Sequence, residues 1–371
     1  MRSAALAAAV AGLPAAATAK GRTLTLDGHL PRILINSLGG LEDSNVDDFD
    51  APNEVGPRVI RDALASGTTA VNMTLGYVAG DDDPFESSVR DIVKWDGIIR
   101  RFSDHLMKVE TVADIERAKA AAKLGIFYGF QNGVQLGDKA DRVDLFADLG
   151  VRIFQLTYNP ANKLGGGSSA PEDTPLTGFG RAVIDRANAR RVMIDLSHSG
   201  RQTCLDAGRY AKQPICISHT GCRALADLPR NKSDEELRLV AERGGYIGIY
   251  FMPYLVIDRQ ITGDDVVRHI EHAIDVCGED AVGIGTDGTT TNIDDLERWK
   301  RAFAKQIEAR RTAGIAAAGE HPDFFIFAID MYGPDQFRIL ADKLARRGHP
   351  QARIDKILGG NFLRYAERIW G

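Results

Sequence analysis

The chain has 371 residues, in which 46 Lys and Arg stand against 51 Asp and Glu, giving a formal net charge of −5 at pH 7. Apolar residues make up 44% and charged residues 26%, which excludes disordered, collagen-like and coiled-coil proteins. A mildly acidic chain without a basic block also lacks the charge pattern of proteins that bind nucleic acid or an anionic membrane.

Residues 1–19 resemble a secretory signal, because Arg2 precedes an Ala-rich apolar stretch and Ala17-Thr18-Ala19 reads as a cleavage site. The alternatives are a frayed Ala-rich helix or a different translation start. If residues 1–19 are a signal, the protein is predicted to be periplasmic or secreted. If they are not, it is predicted to be cytoplasmic. Charges interrupt every other apolar run, so the mature chain is predicted to have no transmembrane segment. Residues 20–371 are predicted to form one domain.

Along that domain, short β-branched segments alternate with amphipathic helical segments. The sequence predicts eight strands, at 23–27, 68–73, 125–131, 151–157, 192–197, 214–218, 245–251 and 281–286. Helices are predicted between them, for example at 111–124 and 264–277, and two or three more at 334–371. A repeated strand-then-helix order requires parallel strands, and eight such units close a (β/α)₈ TIM barrel. The predicted fold is therefore an α/β barrel, and the helices at 334–371 are predicted to close it.

A doubly wound open sheet is the alternative architecture. It would place a glycine-rich phosphate loop after an early strand, and Leu38-Gly39-Gly40 does not have the G-x-G-x-x-G spacing. The barrel is therefore the favoured fold.

Polar residues follow several of the predicted strands, at the end where barrels place active sites. They are His29, Gln131, Tyr158, His198, His219 and Asp287. His198 and His219 each follow an apolar strand as Ser-His, so the two imidazoles could bind a divalent ion, with Asp287 as third ligand or as base. The alternative is that these histidines only hydrogen-bond to loop backbone.

Arg230 follows His219 in the next connection, where a guanidinium could grip a carboxylate with two hydrogen bonds. The alternative is that Arg230 is an ordinary surface charge. His269 and His272 lie three residues apart on a predicted helix, and a solvent-facing helix surface explains them.

Several motifs in order resemble the membrane dipeptidase (renal dipeptidase) family of metallopeptidases. They are DGH at 27–29, LGVRIFQLTYN at 149–159, MIDLSHSG at 193–200, CISHTGCRALADLPRN at 216–231, GIGTD at 283–287 and KILGGNFLRY at 356–365. The resemblance implies a (β/α)₈ barrel that hydrolyses dipeptides at a two-zinc centre. It further implies that His198 and His219 bind one zinc and His29 the other, that Asp287 moves the proton, and that Arg230 holds the substrate carboxylate. Tyr158 stands at the position of the family's substrate-contacting histidine, and with Asn159 it is expected to contact substrate.

The chain departs from the family pattern at two ligand positions. Pro31 stands where the family has an aspartate, and Gln131 where it has a glutamate that bridges both metals. Two Zn²⁺ ions repel each other strongly unless carboxylates offset their charge. We therefore expect one ion, zinc or else iron or manganese, held by His198 and His219 and completed by Asp287 or Gln131.

The sequence thus favours a metal-dependent hydrolase of dipeptides or small amides bearing a free carboxylate. One alternative is a lyase, decarboxylase or isomerase of a small carboxylate metabolite, with Tyr158 as acid or oxyanion donor. Another is a catalytically inactive binding protein. The expected partner is a dipeptide or other small molecule, and a homodimer is left open.

Overall fold

The computed structural model describes residues 29–47, 55–312 and 318–371. The segment 1–19 and the predicted strand 23–27 lie outside the described residues. Within the described ranges, no helix is both long and apolar enough to cross a membrane.

A parallel sheet forms the centre of the fold, in the order β1-β2-β4-β5-β6-β7-β8-β9, with β3 paired to the side of β4. Its strands are β1 (Ile35–Gly39), β2 (Ala70–Leu75), β3 (Leu106–Lys108), β4 (Leu124–Phe130), β5 (Val151–Gln155), β6 (Met193–Asp195), β7 (Cys216–Thr220), β8 (Tyr246–Ile249) and β9 (Val282–Ile284). Almost every strand residue is buried, as expected for parallel strands covered by helices. The predicted (β/α)₈ barrel is confirmed.

The barrel closes between β1 and β9. The Ser37 hydroxyl donates to the Ile284 carbonyl at 2.7 Å, and the Gly40 N–H donates to the Gly288 carbonyl at 2.9 Å. The sequence did not predict β1, whose INSLG segment carries polar residues that bond inside the barrel instead of an apolar run. Among the described residues, β1 is the first strand of the barrel.

The helices cover the outside of the sheet. They are α1 (Pro57–Ala65), α2 (Pro84–Arg101), α3 (Val112–Ala120), α4 (Arg142–Asp148), α5 (Gly178–Ala189), α6 (Arg201–Tyr210), α7 (Asp234–Glu242), α8 (Gly263–Cys277), α9 (Leu296–Thr312), α10 (Gln336–Arg346), α11 (Gln351–Asp355) and α12 (Asn361–Trp370). Thr111 caps α3 through a reciprocal pair of hydrogen bonds with Asp114. That helix ends at Ala120 instead of 124, because Leu124 already begins β4.

The last helix, α12, closes the amino end of the barrel. Its buried Phe362 stacks on Phe127 with ring centroids 5.4 Å apart and meets Tyr246 edge-on at 5.1 Å. The same cluster contains residues at the starts of strands, among them Ile35 and Cys216. The predicted C-terminal helical closure is confirmed, and it leaves the carboxyl ends of the strands as the accessible end of the barrel.

Candidate active site

A cavity of about 180 Å³ lies at the carboxyl end of the barrel. Its lining includes five side chains that sequence reasoning selected, namely Tyr158, Asn159, His198, Arg230 and Asp287. His219 lies directly behind them, because its Nε2 is 3.0 Å from Nε2 of His198. These residues meet because they follow or end parallel strands, whose carboxyl ends share one face of a barrel.

The two imidazoles are held with their Nε2 atoms facing each other. His198 Nδ1–H donates to Asn159 Oδ1 at 2.7 Å, which leaves its Nε2 without a proton when the ring is neutral. Burial, followed by the nearby charge of Arg230, lowers the pKa of both histidines well below 6.5. Both rings are therefore neutral at pH 7, the form that binds a metal ion.

A buried carboxylate at the end of β6 fixes the second ring. Asp195 has no exposed surface and accepts hydrogen bonds from the hydroxyls of Ser197 at 2.6 Å and Ser218 at 2.5 Å. Burial raises the Asp195 pKa, while these hydrogen bonds act in the opposite direction. Because the Ser218 hydroxyl donates to Asp195, its oxygen is free to accept from His219 Nδ1 at 2.8 Å.

Asp195 was missed by the sequence reasoning, which considered only residues after strands. A signal was present, since Asp195 is a carboxylate inside the otherwise apolar segment VMIDL. Such a residue in a buried strand must find polar partners, and here the partners orient an imidazole.

Arg230 is not a surface charge. Only 1% of it is exposed, and its guanidinium lies over the Tyr250 ring at 5.8 Å. Nη1 donates to the Ser197 carbonyl at 2.8 Å, and Nη2 lies 3.2 Å from His198 Nε2. A buried cation therefore bonds to the same nitrogen lone pair that a metal ion would use.

Asp287 lies just beyond β9 in a left-handed backbone conformation, with φ of 56°. Its N–H donates to the Leu38 carbonyl at 3.0 Å, which ties this strained residue to the end of β1. Burial raises the Asp287 pKa to about 6, against the opposing charges of Arg230 and Arg310. A carboxyl group that titrates near 6 is ionised at pH 7 and still able to carry a proton.

The outer wall of the cavity comes from α9 and the segment after it. Arg310 Nε and Nη2 bond to the two carboxylate oxygens of Glu320 at 3.1 and 2.9 Å, and Tyr254 donates to the same carboxylate at 2.9 Å. Tyr158 stacks on His198 with ring centroids 4.2 Å apart, and burial raises its pKa. Sequence reasoning missed Arg310 and Glu320 because they lie far along the chain from β9, and it missed Tyr254, in the connection after β8, because that residue belongs to no recognisable motif.

Two predicted metal ligands are not brought to this cavity. His29 is exposed, and its backbone exchanges hydrogen bonds with Gln351 of α11. The prediction was wrong because His29 precedes β1 by six residues and so lies toward the amino end of the barrel. Gln131 directly follows β4, but its Nε2 donates to Thr74 at 2.6 Å and it does not line the cavity.

The prediction of a solvent-facing His269 is also wrong. His269 is 1% exposed, accepts at Nδ1 from the Cys222 N–H at 2.9 Å and donates at Nε2 to the Leu255 carbonyl at 2.9 Å. His272 pairs with Asp234 at 2.8 Å, which is a structural contact between α7 and α8.

The donor set fits one metal ion in part and two ions poorly. Two neutral imidazoles converge, each with a hydrogen-bond partner behind it, which is how histidine ligands are held. Among the residues described, however, no group of three or more His, Cys, Asp or Glu side chains could hold a metal ion. His198 and His219 thus suit two positions around a single ion, with the others left to water or substrate.

Comparison with known proteins adds to this geometry. Residues 25–313 match the family model of the membrane dipeptidases, peptidase family M19. A solved amidohydrolase structure from Pseudomonas aeruginosa is 32% identical, with a TM-score of 0.77 over 91% of this chain and 97% of the other.

Two curated relatives are more distant in sequence. An uncharacterised protein in the pqqA 5′ region of Klebsiella pneumoniae is 25% identical over 78% of this chain and 98% of its own. The dipeptidase verJ of Clonostachys rogersoniana is 26% identical over 57% of this chain and 56% of its own length.

Proposed function

The chain belongs to the membrane dipeptidase family, and from that premise we propose that it hydrolyses dipeptides or small amides bearing a free carboxylate, using one divalent metal ion held by His198 and His219. The family itself is one of metal-dependent dipeptidases. The observation that carries the proposal is the pair of neutral imidazoles with Nε2 atoms 3.0 Å apart beside a cavity lined by Asp287.

Asp287 is the proton carrier in this proposal. With a pKa of about 6 it is ionised at pH 7, accepts a proton from the attacking water and returns it to the departing amine. Tyr158 keeps its phenolic proton, because burial raises its pKa, and can donate a hydrogen bond to the oxygen that becomes negative.

The metal ion would be zinc, or iron or manganese, and when bound it supplies Lewis-acid polarisation of the scissile carbonyl. The His198 lone pair cannot serve both a metal ion and Arg230, which lies 3.2 Å away. Metal binding therefore requires Arg230 Nη2 to leave His198, and the released N–H groups become available for a substrate carboxylate.

This competition is measurable by calorimetry. Arg230→Met removes the competing cation and should tighten Zn²⁺ binding by about tenfold. Arg223→Met is the matched control, because Arg223 has its contacts with Pro229 and Asp227 and none with His198. An unchanged Zn²⁺ affinity in Arg230→Met would show that the guanidinium and the ion do not compete.

The direct test is a dipeptide panel in which release of free amino acids is measured. We expect hydrolysis that is lost in His219→Ala, while circular dichroism shows an intact fold. A panel in which no dipeptide or small amide is cleaved by metal-loaded protein would reject the proposed function.

A binding protein without catalysis is the second candidate. The observation that favours it is Arg230, which already satisfies the His198 lone pair with a buried hydrogen bond. It predicts that purified protein holds no stoichiometric metal and that added Zn²⁺ does not bind at micromolar concentration.

A further inference from the structure

A larger cavity, of about 460 Å³, adjoins the small one at the same end of the barrel. Both cavities are lined by Met252, Asp287 and Phe303, so they meet at the proposed proton carrier. We call them the large chamber and the small chamber. A substrate whose scissile bond lies at Asp287 would place one half in each.

One wall of the large chamber is aromatic. Trp299 and Phe303 of α9 stack at 4.8 Å, and Phe327 meets Trp299 edge-on at 5.0 Å. Trp95 of α2 lines the chamber as well. Rigid aromatic walls favour a large apolar or aromatic group, because it gains contact area and ring contacts there.

The charges of the two chambers are opposite in sign. Apart from the shared Asp287, the large chamber is lined by Asp43 and Asp91, by Glu42, whose pKa burial raises, and by one amine, Lys94. The small chamber is lined by two guanidinium groups, Arg230 and Arg310, and one carboxylate, Glu320. The large chamber therefore favours an ammonium group and the small chamber a carboxylate.

A dipeptide carries these two charges at its two ends. We propose that the large chamber is the subsite for the amino-terminal residue, and that the protein selects dipeptides with a bulky, preferably aromatic, amino-terminal residue and a small carboxyl-terminal one. This inference rests on the proposed function, which already assigns the substrate carboxylate to Arg230, and adds the subsite and the size preference for the amino-terminal residue.

Isomeric dipeptides test the preference without changing composition. Phenylalanylglycine should be hydrolysed with a kcat/KM about tenfold or more above that of glycylphenylalanine. N-Acetylphenylalanylglycine, which has no ammonium group, should be about tenfold poorer than phenylalanylglycine. Equal values for the two isomers, or a preference for glycylphenylalanine, would overturn the inference.

A substitution that fills the large chamber tests whether this chamber causes the preference for a bulky amino-terminal residue. Ile98 of α2 lines only this chamber, and Ile98→Trp should lower kcat/KM for phenylalanylglycine about tenfold while glycylglycine changes less than about threefold. Ile98→Leu, of nearly equal volume, is the control. If Ile98→Trp does not fold, Ser44→Phe with Ser44→Ala as its control fills the same chamber. Equal losses on both substrates would contradict the assignment.

Measuring the binding of the two isomeric dipeptides distinguishes failure of this inference from failure of the proposed function. If nothing is hydrolysed, the proposed function fails, but calorimetry with the two isomers still measures the preference. About tenfold tighter binding of phenylalanylglycine, reduced in Ile98→Trp, supports the subsite. Equal affinities, or no binding of either isomer, reject it.

Discussion

The two ends of the barrel are built in opposite ways. At the amino end, α12 packs Phe362 and Trp370 against Phe127, and these rings bury apolar surface. At the carboxyl end, the charged side chains of Arg230 and Asp195 are buried, and Asp287 adopts a left-handed backbone conformation. Apolar packing stabilises a fold, whereas buried charge and backbone strain cost free energy. The amino end therefore holds the barrel together, and the carboxyl end is arranged for chemistry.

The largest expected effect is at the carboxyl end. Asp287→Asn removes the proton carrier and should lower kcat/KM for a cleaved dipeptide by about 10² to 10⁴. Its melting temperature should stay close to that of the wild type, since a buried carboxylate is removed without creating a void. Asp294→Asn, an exposed carboxylate further along the same connection, is the control. If Asp287→Asn loses enough stability to explain its lost activity, the carboxyl end would also stabilise the fold, and the two ends would not differ in role.

The amino end should respond in the reverse manner. Phe362→Ala deletes a fully buried ring and should cost about 3–5 kcal/mol of unfolding free energy, measured by denaturant titration. The activity of the molecules that remain folded should not change. Phe362→Leu should cost less, because more of the volume is kept. A specific loss of kcat in folded Phe362→Ala would mean that the amino end also serves the chemistry.

The pH profile sharpens the role of Asp287. Burial raises its pKa to about 6, and the ionised form is the one that accepts a proton, so activity is lost as the pH falls through 6. We expect kcat/KM at pH 5 to be about tenfold below its plateau. The residual activity of Asp287→Asn should not fall as the pH drops through 6. If it falls with the same midpoint, another group must cause the pH dependence.

The smallest effect is expected for His29. His29→Ala should change stability by no more than about 0.5 kcal/mol and leave metal content and kcat/KM as they are, because His29 is exposed and bonds to Gln351 through its backbone. Loss of metal on this substitution would place His29 at the carboxyl end and contradict the strand order described for the barrel.

Sequence reasoning found the barrel because parallel strands leave long apolar runs, as in β8 and β9, followed by polar residues at a fixed place. The same regularity identified His198, His219 and Asp287. It failed at β1, where the buried polar side chains of Ser37 and Asn36 bond to Ile284 and Thr286 and interrupt the apolar run. Misplacing that strand also misplaced His29.

The outer wall of the site could not be predicted for a different reason. Arg310 and Glu320 come after the last strand, where no periodicity fixes their position relative to the barrel. Only packing of α9 and the following segment over the cavity brings them to Tyr158. The hydrogen bond from Arg230 to His198 is likewise a tertiary event, since 32 residues separate the two.

A single metal ion held by His198 and His219 is tested most directly by counting the metal in protein purified without chelator, with mass spectrometry of dissolved metals. We expect one equivalent of divalent ion per chain in the wild type and in His29→Ala, and none in His219→Ala. Two equivalents in the wild type, or one equivalent retained in His219→Ala, would contradict a single ion held by His198 and His219.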